Sequence, residues 1–424
     1  MTQFQSIGRT ETNHLRVIDG KIAILPGVSG AARASSRTGI TSITRPAAPQ
    51  AYRTRIATGS DALRASLAEM GPEALSTPFQ TASWINTWLN TIGKARDCDM
   101  HVAEIRDERN GELLFALPLL RRRAGVLRVL ELPDFGLADY VSPVLATSFR
   151  PDRPTMAGLW DRLMADLPAA DLIRLNRLPE RIGHVSNPLM MLGDVRRHAQ
   201  SAWSIQLEKA PDTFGALGMV KKRARELDKR LRRMAAIGPV EFRVAGNAAE
   251  ADRFFNAMCA QRARRHAEMG RPNSLEQADV RAFFHAMLAG GSAGATACIQ
   301  AVLVNDEIVA TGYGLQSAAG FHVIFATIED GPWRPLSPGL QYFRMSMAWA
   351  CRNGSALYDF TIGSEQYKAE LGAREMPLYE ICQPLSHRGR LAATVLGAKR
   401  LIRRQPRLAQ FLRHTARSLN LRSI

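Results

Sequence analysis

One pattern occurs twice in this chain and constrains the fold more than any other feature. In the first copy His101 to Asp107 reads as a strand, Glu108-Arg109-Asn110-Gly111 as a turn, Glu112 to Arg121 as its hairpin partner, and Val126 to Leu132 as a third strand. A helix from about Thr155 to Leu167 and a strand from Asp171 to Leu178 complete it. In the second copy Thr296 to Val304 and Glu307 to Leu315 flank the tight turn Asn305-Asp306, and Phe321 to Ile328 is the third strand. A helix over Pro338 to Arg352 and a strand over Ala356 to Ile362 follow. Three antiparallel strands, a helix and a crossover strand, twice over, predict tandem copies of one α/β module.

Around this repeat the chain divides into residues 1–50, a leader with no sustained period, a first module over 51–208, a basic connecting helix within 209–238, a second module over 239–390 and a basic tail over 391–424. Helices are expected over Ser60 to Met70 and after Thr77-Pro78, where Trp84 and Trp88 stand at i, i+4 and read as core anchors. The basic helix is expected over Ala210 to Ile237, with a strand near Glu241 to Ala245 and two helices near Ala248 to Ala267 and Leu275 to Leu288 after it.

At 424 residues and 46% apolar content the chain can build real cores. Its longest apolar runs, Ala297 to Val304 and Leu113 to Leu120, fall short of the roughly 20 residues that cross a bilayer. The start Met1-Thr2-Gln3-Phe4-Gln5 lacks a signal-peptide pattern, so a cytoplasmic protein is expected. Five scattered cysteines, never in C-x-x-C, suit buried thiols better than disulfides or zinc, and no metal site is visible. Of the net charge of +17, Lys221 to Arg233 and Ala398 to Ile424 together carry +14. That leaves a nearly neutral body and argues against a protein built throughout to bind nucleic acid.

The second copy contains the candidate site. Ser337 suits an N-cap, Pro338 the first helical position, and Gly339 removes a side chain from the path of a ligand. Open amides at a helix N-terminus favour phosphate, although Ser-Pro-Gly also occurs in ordinary capped helices. Gly354 is placed to end the helix. In the next strand Asp359 interrupts an apolar run, either as a buried partner for a helix or for Lys368, or as a group that orients a nucleophile. After Gly363, Glu365, Tyr367 and Lys368 offer a base, a phenolic acid and a cation. His322, alone in an apolar run, reads as a core residue.

These residues resemble a known family. Ser337-Pro338-Gly339-Leu340, Asp359-Phe360 with Gly363, and Glu365-x-Tyr367-Lys368 are similar to motifs of the cellulose-biosynthesis-associated, CelD-type acetyltransferases of the GNAT superfamily. The upstream Pro78-Phe79-Gln80-x-x-x-Trp84 and the run Lys221-Lys222-Arg223 add to the resemblance, which spans roughly Thr77 to Pro384 and also looks like the layout of the two-module Fem-type peptidyltransferases. It implies an α/β fold of tandem GNAT-like modules with mixed, largely antiparallel sheets flanked by helices. It further implies acetyl-CoA or another acyl-CoA as co-substrate, lying between the Phe321 to Ile328 and Ala356 to Ile362 strands. The implied cofactor-binding residues are Ala326, Thr327 and Ile328, whose backbone would polarise the thioester carbonyl, with Arg334, Leu336, Ser337, Pro338, Gly339 and Leu340 around the pyrophosphate and Lys368 near a phosphate. Tyr367 is the implied acid and Glu365 or Asp359 the base. The first module has no comparable glycine loop, so it is expected to shape the groove for a small-molecule, lipid or glycan acceptor.

The Lys221 to Arg233 helix reads as a solvated connector, a holder of an anionic acceptor, or a grip on nucleic acid. In the tail, Leu401, Leu408, Phe411 and Leu412 among arginines suit an anionic membrane surface. Three functions are expected to compete: acyl transfer from acyl-CoA in polysaccharide or envelope synthesis, Fem-like transfer from aminoacyl-tRNA, and a non-catalytic accessory role in exopolysaccharide synthesis.

Overall fold

The structure is a computed structural model that describes residues 14–18, 21–24, 51–290 and 294–404, with side chains for 51–290 and 294–395. The first module comprises β1 (Tyr52–Thr58), α1 (Ser60–Met70), β2 (Asp99–Asp107), β3 (Leu113–Ala124), β4 (Leu127–Glu131), α2 (Arg153–Asp166), β5 (Leu172–Pro179) and β6 (Val195–Gln206). After α3 (Lys221–Ile237) come β7 (Val240–Val244), α4 (Ala248–Glu268), α5 (Ala278–Ala289), β8 (Ala295–Val304), β9 (Glu307–Ser317), β10 (Gly320–Ile328), α6 (Pro338–Arg352), β11 (Leu357–Ile362) and β12 (Arg374–Pro384). The repeat read from sequence is present, with strand and helix ends moved by a few residues.

All twelve strands join one sheet in the order β7-β8-β9-β10-β11-β6-β12-β5-β4-β3-β2-β1. The order reads almost the same from either end. In each half the crossover strand runs parallel to the third meander strand, β10 beside β11 and β4 beside β5, while the other pairs among the twelve are antiparallel. At the centre the last strands are exchanged. β6 of the first module lies against β11 of the second, and β12 of the second lies against β5 of the first.

Both parallel ladders are short. The last pair is His322 with Asp359 in the second module and Glu131 with Arg174 in the first, and beyond these pairs the strands part. Each crossover strand also has a register shift near a non-glycine residue in the left-handed region, Thr361 at φ 57° and Arg177 at φ 60°. A bulge of this kind bends the strand away from its neighbour, and a left-handed backbone is costly for a β-branched threonine.

Side-chain alternation in the strands gives the sheet two buried faces. Along β8, Ile299, Ala301 and Leu303 join one core while Val302 and Val304 join the other. The first core runs through both modules. Trp84, fully buried, packs edge-on against Phe79 of its own module and Phe283 of α5, so the two tryptophans are core anchors as expected. The second core is covered by α3, through Leu227, Leu231 and Met234, and by α6, which is buried almost all round because it lies between α3 and the sheet. Gly354, at φ 84°, donates its amide to Cys351 and ends α6 as read from the sequence.

Three expectations are corrected. Residues 14–24 were read as part of a leader without sustained structure, yet His14–Ile18 and Lys21–Ile24 add two edge strands beside β7; the rest of 1–50 lies outside the described residues. The basic helix starts at Lys221, because Phe214–Leu217 forms a separate turn ended by left-handed Gly218. β6 and β12 were not recognised as strands. A helix over His387–Arg404 leads into the tail, and the tail side chains singled out above lie outside the described residues. No described helix is long and apolar enough to cross a membrane.

Candidate functional site

A cavity of about 480 Å³ lies beside the end of β10, beyond the His322 and Asp359 pair that ends its ladder with β11. Its walls are the end of β10 at Ala326, Thr327 and Ile328, the start of α6 at Ser337, Gly339, Leu340 and Phe343, and Tyr367, with Arg334 at one side. The C-terminal end of α4 closes it with Arg262, Arg265, His266 and Met269. Eight of the residues named from the sequence therefore meet around one space.

The entrance to α6 differs from the expected cap. Ser337 is left-handed (φ 56°, ψ 52°) and does not bond the helix amides through its side chain. Its hydroxyl instead accepts a hydrogen bond from the Arg230 guanidinium of α3, while its carbonyl receives the amides of Leu340 and Gln341 at 3.1 and 3.3 Å. Because Pro338 has no N–H and Ser337 engages the next two amides, the first turn leaves only the Gly339 amide to point out of the helix. A Cβ on Gly339 would stand 3.0 Å from Ile328 Cγ2, so glycine keeps the space between two walls of the cavity open. Leu336 and Pro338 are buried supports rather than lining residues.

The other named residues separate. Tyr367 lies on the cavity wall, stacked on Phe343 at 5.0 Å, and burial with the nearby Glu365 charge raises its pKa, so it holds its proton at neutral pH. Glu365 is exposed and pairs with Lys368 at 3.1 Å. Lys368 is buried and donates to the carbonyls of Phe360 at 3.1 Å and Ile362 at 2.7 Å, which fixes the bent end of β11 and keeps its ammonium off the cavity wall. Asp359 is buried behind the cavity. It accepts the Tyr140 hydroxyl at 2.8 and 2.9 Å and the Thr361 amide at 2.7 Å, with His322 Nε2 at 3.7 Å. Burial raises the pKa of Asp359 and lowers that of His322, so this histidine is a neutral core residue.

Sequence reasoning missed Asp139, which stands beside Tyr140 in the loop after β4. It keeps part of its surface accessible. Burial, with the Asp359 charge adding to it, pushes its pKa up to about 7, against the pull of Arg177, a side-chain hydrogen bond with Thr361, and Lys368. Its charge in turn acts on Arg262 in the cavity wall. The signal that could have found it was the Pro78-Phe79-Gln80 motif. Gln80 Nε2 donates to the Tyr140 carbonyl at 3.2 Å, Ser142 Oγ donates to Gln80 Oε1 at 3.2 Å, and Phe79 packs edge-on to Tyr140. That motif therefore holds the loop that carries Asp139. Among the described residues no group of three or more His, Cys, Asp or Glu could hold a metal ion.

Residues 221–369 match the model of the acetyltransferase (GNAT) domain, which here covers α3 through Tyr367 and Lys368. Similar solved structures include FemX, 11% identical with a TM-score of 0.50, the alignment covering 77% of this chain and 96% of that one. A tandem GNAT protein from the clavulanic acid biosynthesis pathway is 12% identical (TM-score 0.43, 79% and 99% covered). The L-PGS of Bacillus licheniformis is 14% identical (TM-score 0.44, 81% and 97% covered). No curated protein matches the chain. The fold is mixed α/β with a large, mostly antiparallel sheet flanked by helices, and its second half matches a GNAT domain.

Proposed function

We propose that this chain transfers an acetyl or longer acyl group from acyl-CoA to an amine or hydroxyl. The second module would hold the donor and the first would shape the acceptor side. The observation that carries the proposal is the cavity that joins the end of β10, past its last pair with β11, to the N-terminus of α6 among Arg262, Arg265 and Arg334. The cations, the Gly339 amide and the positive end of α6 fit a pyrophosphate, and the apolar Ala326, Ile328 and Phe343 fit the arm beside it.

The co-substrate supplies an activated thioester. The backbone of Ala326 to Ile328 donates to the carbonyl as charge develops on its oxygen. Asp139 accepts the proton of the attacking amine or hydroxyl; a carboxylate poised near neutrality is suited to that task. Tyr367, kept protonated by burial, gives a proton to the departing thiolate. Asp359 orients this arrangement through Tyr140 and the bend at Thr361. The motif resemblance to CelD-type acetyltransferases supports an acceptor from polysaccharide or cell-envelope synthesis.

Fem-like transfer from aminoacyl-tRNA is a second reading, favoured by α3. Lys221, Lys222, Arg225, Lys229, Arg232 and Arg233 are exposed on that helix, whose Arg230 touches Ser337 at the cavity. Calorimetry with acetyl-CoA, longer acyl-CoAs and tRNA separates the readings. Acyl-CoA binding that Gly339→Trp abolishes supports the first, and tRNA binding without acyl-CoA binding supports the second. Binding of neither leaves only an accessory role without catalysis.

A further inference from the structure

The first module has its own opening where β4 and β5 part after the Glu131 and Arg174 pair, at the position that corresponds to the donor cavity. A second cavity of about 380 Å³ lies there, and its chemistry is different. Its charged and amide lining is Arg122, Glu131, Asp134, Arg174, Asn176 and Arg177. Glu131 is shared by two guanidiniums, Arg122 and Arg174, the latter at 2.8 Å, while Arg177 pairs with Asp134. Three cations against two carboxylates leave one positive charge in excess, and the Nε of Arg174 has no hydrogen-bond partner.

This cavity is not a second donor site. The helix that follows it in the module, α2, is capped by its own Asp152, whose carboxylate accepts the Thr155 amide at 2.9 Å. The helix N-terminus that would receive a pyrophosphate thus already carries an anion. The Arg177 side of the cavity is also coupled to the candidate base. Val141 donates its amide to the Arg177 carbonyl at 3.2 Å, and the Arg177 charge acts on Asp139, which in turn acts on Arg262 of the donor cavity. Asp139 therefore sits electrostatically coupled to an arginine in each of the two cavities.

We infer that the acceptor carries an anionic group, a carboxylate or a phosphate ester, which docks on Arg122 and Arg174 in the first-module cavity and presents its amine or hydroxyl toward Asp139. This deepens the acyl-transfer reading and rests on it. Planar guanidiniums recognise either oxyanion through paired N–H donors, and the single excess charge suits one such group. The neutral remainder of the acceptor would lie along Phe135 and Val141 of the same cavity.

The test uses the full chain. With the donor cavity filled by saturating CoA, inorganic phosphate and acetate are titrated by calorimetry into wild type, Arg122→Gln and Arg174→Gln. At least one anion is expected to bind wild type saturably, at least tenfold more weakly in each variant, while the affinity for CoA changes less than twofold. Thiol release from acetyl-CoA is then compared for glucosamine against glucosamine 6-phosphate and for methylamine against glycine, which distinguishes a phosphate ester from a carboxylate. Binding of neither anion to wild type, or equal binding to wild type and both variants, overturns the inference. Variant CoA affinity reports on folding, and Arg→Lys versions, which keep the charge but lose the fork, replace any variant that fails to fold. Failure of CoA to bind wild type counts against the donor reading instead, and the dependence of anion binding on Arg122 and Arg174 is still read.

Discussion

If Asp139 is the base, its environment sets the pH dependence of the reaction. Burial and the Asp359 charge push its pKa up to about 7, while Arg177, Thr361 and Lys368 hold it from going higher. With that value the carboxylate is about one-tenth ionised at pH 6 and about nine-tenths at pH 8, so kcat/KM should rise about tenfold between them. Asp139→Asn should lower kcat/KM by about 10²- to 10⁴-fold and remove this limb. Arg177→Gln should move the limb to higher pH, since it deletes the cation that lowers this pKa most. Stability should follow the opposite trend. A folded-state pKa above the unfolded one stabilises the protein fully below about pH 4, and the contribution is lost as pH rises through about 7. The assay is thiol release from acetyl-CoA at subsaturating acceptor from pH 5 to 9, with unfolding followed over the same range. An unchanged rising limb in Asp139→Asn would refute the assignment.

Tyr140→Phe removes the hydroxyl that both Asp359 oxygens accept, leaving that buried carboxylate the Thr361 amide and a distant His322. Chemical denaturation should show a loss of about 2 kcal/mol at pH 8, since hydrogen bonds to charged groups contribute about 1.5 to 3, and a smaller loss at pH 5, since a carboxyl whose pKa burial raises is less ionised at the lower pH. Equal losses at the two pH values would count against a charged Asp359. Trp84→Ala removes one packing contact between the two modules and should cost about 3 to 5 kcal/mol in urea denaturation. A loss below about 1 kcal/mol would mean that the packing of Trp84 on Phe283 does not join them.

What the sequence made legible was local. The hairpins, the helix from Pro338 to Arg352 and the glycine at its end follow from periodicity and turn chemistry within a few residues of each element. Ser337 and Gly339 were found because a helix N-terminus is itself a local signal, whereas Ala326 to Ile328 and Arg334 were named only through the family resemblance. β6 and β12 were missed because their partners are distant in sequence; Ala202 pairs with both Ile362 and Met376. Asp139 was missed for a related reason. Nothing near it in sequence shows that Thr361, Arg177 and Asp359 surround it, and the Gln80 that positions its loop stands about sixty residues earlier. Lys368 was read as a cation near a phosphate or as a partner for Asp359, and only the folded chain shows the carbonyls of the bent β11 that occupy it.

The exchanged central strands give the two halves a shared fate. A cut anywhere between β6 and β7 would leave each fragment holding a strand that the other needs, and would bare the edges of β11 and β5 to self-association. The halves therefore cannot drift apart as hinged lobes do around a linker. The cavity at the start of α6 and the arginine cavity keep a fixed separation, with Asp139 coupled to an arginine in each. An acceptor that reaches from one cavity to the other would then be selected by its length as well as by its charge.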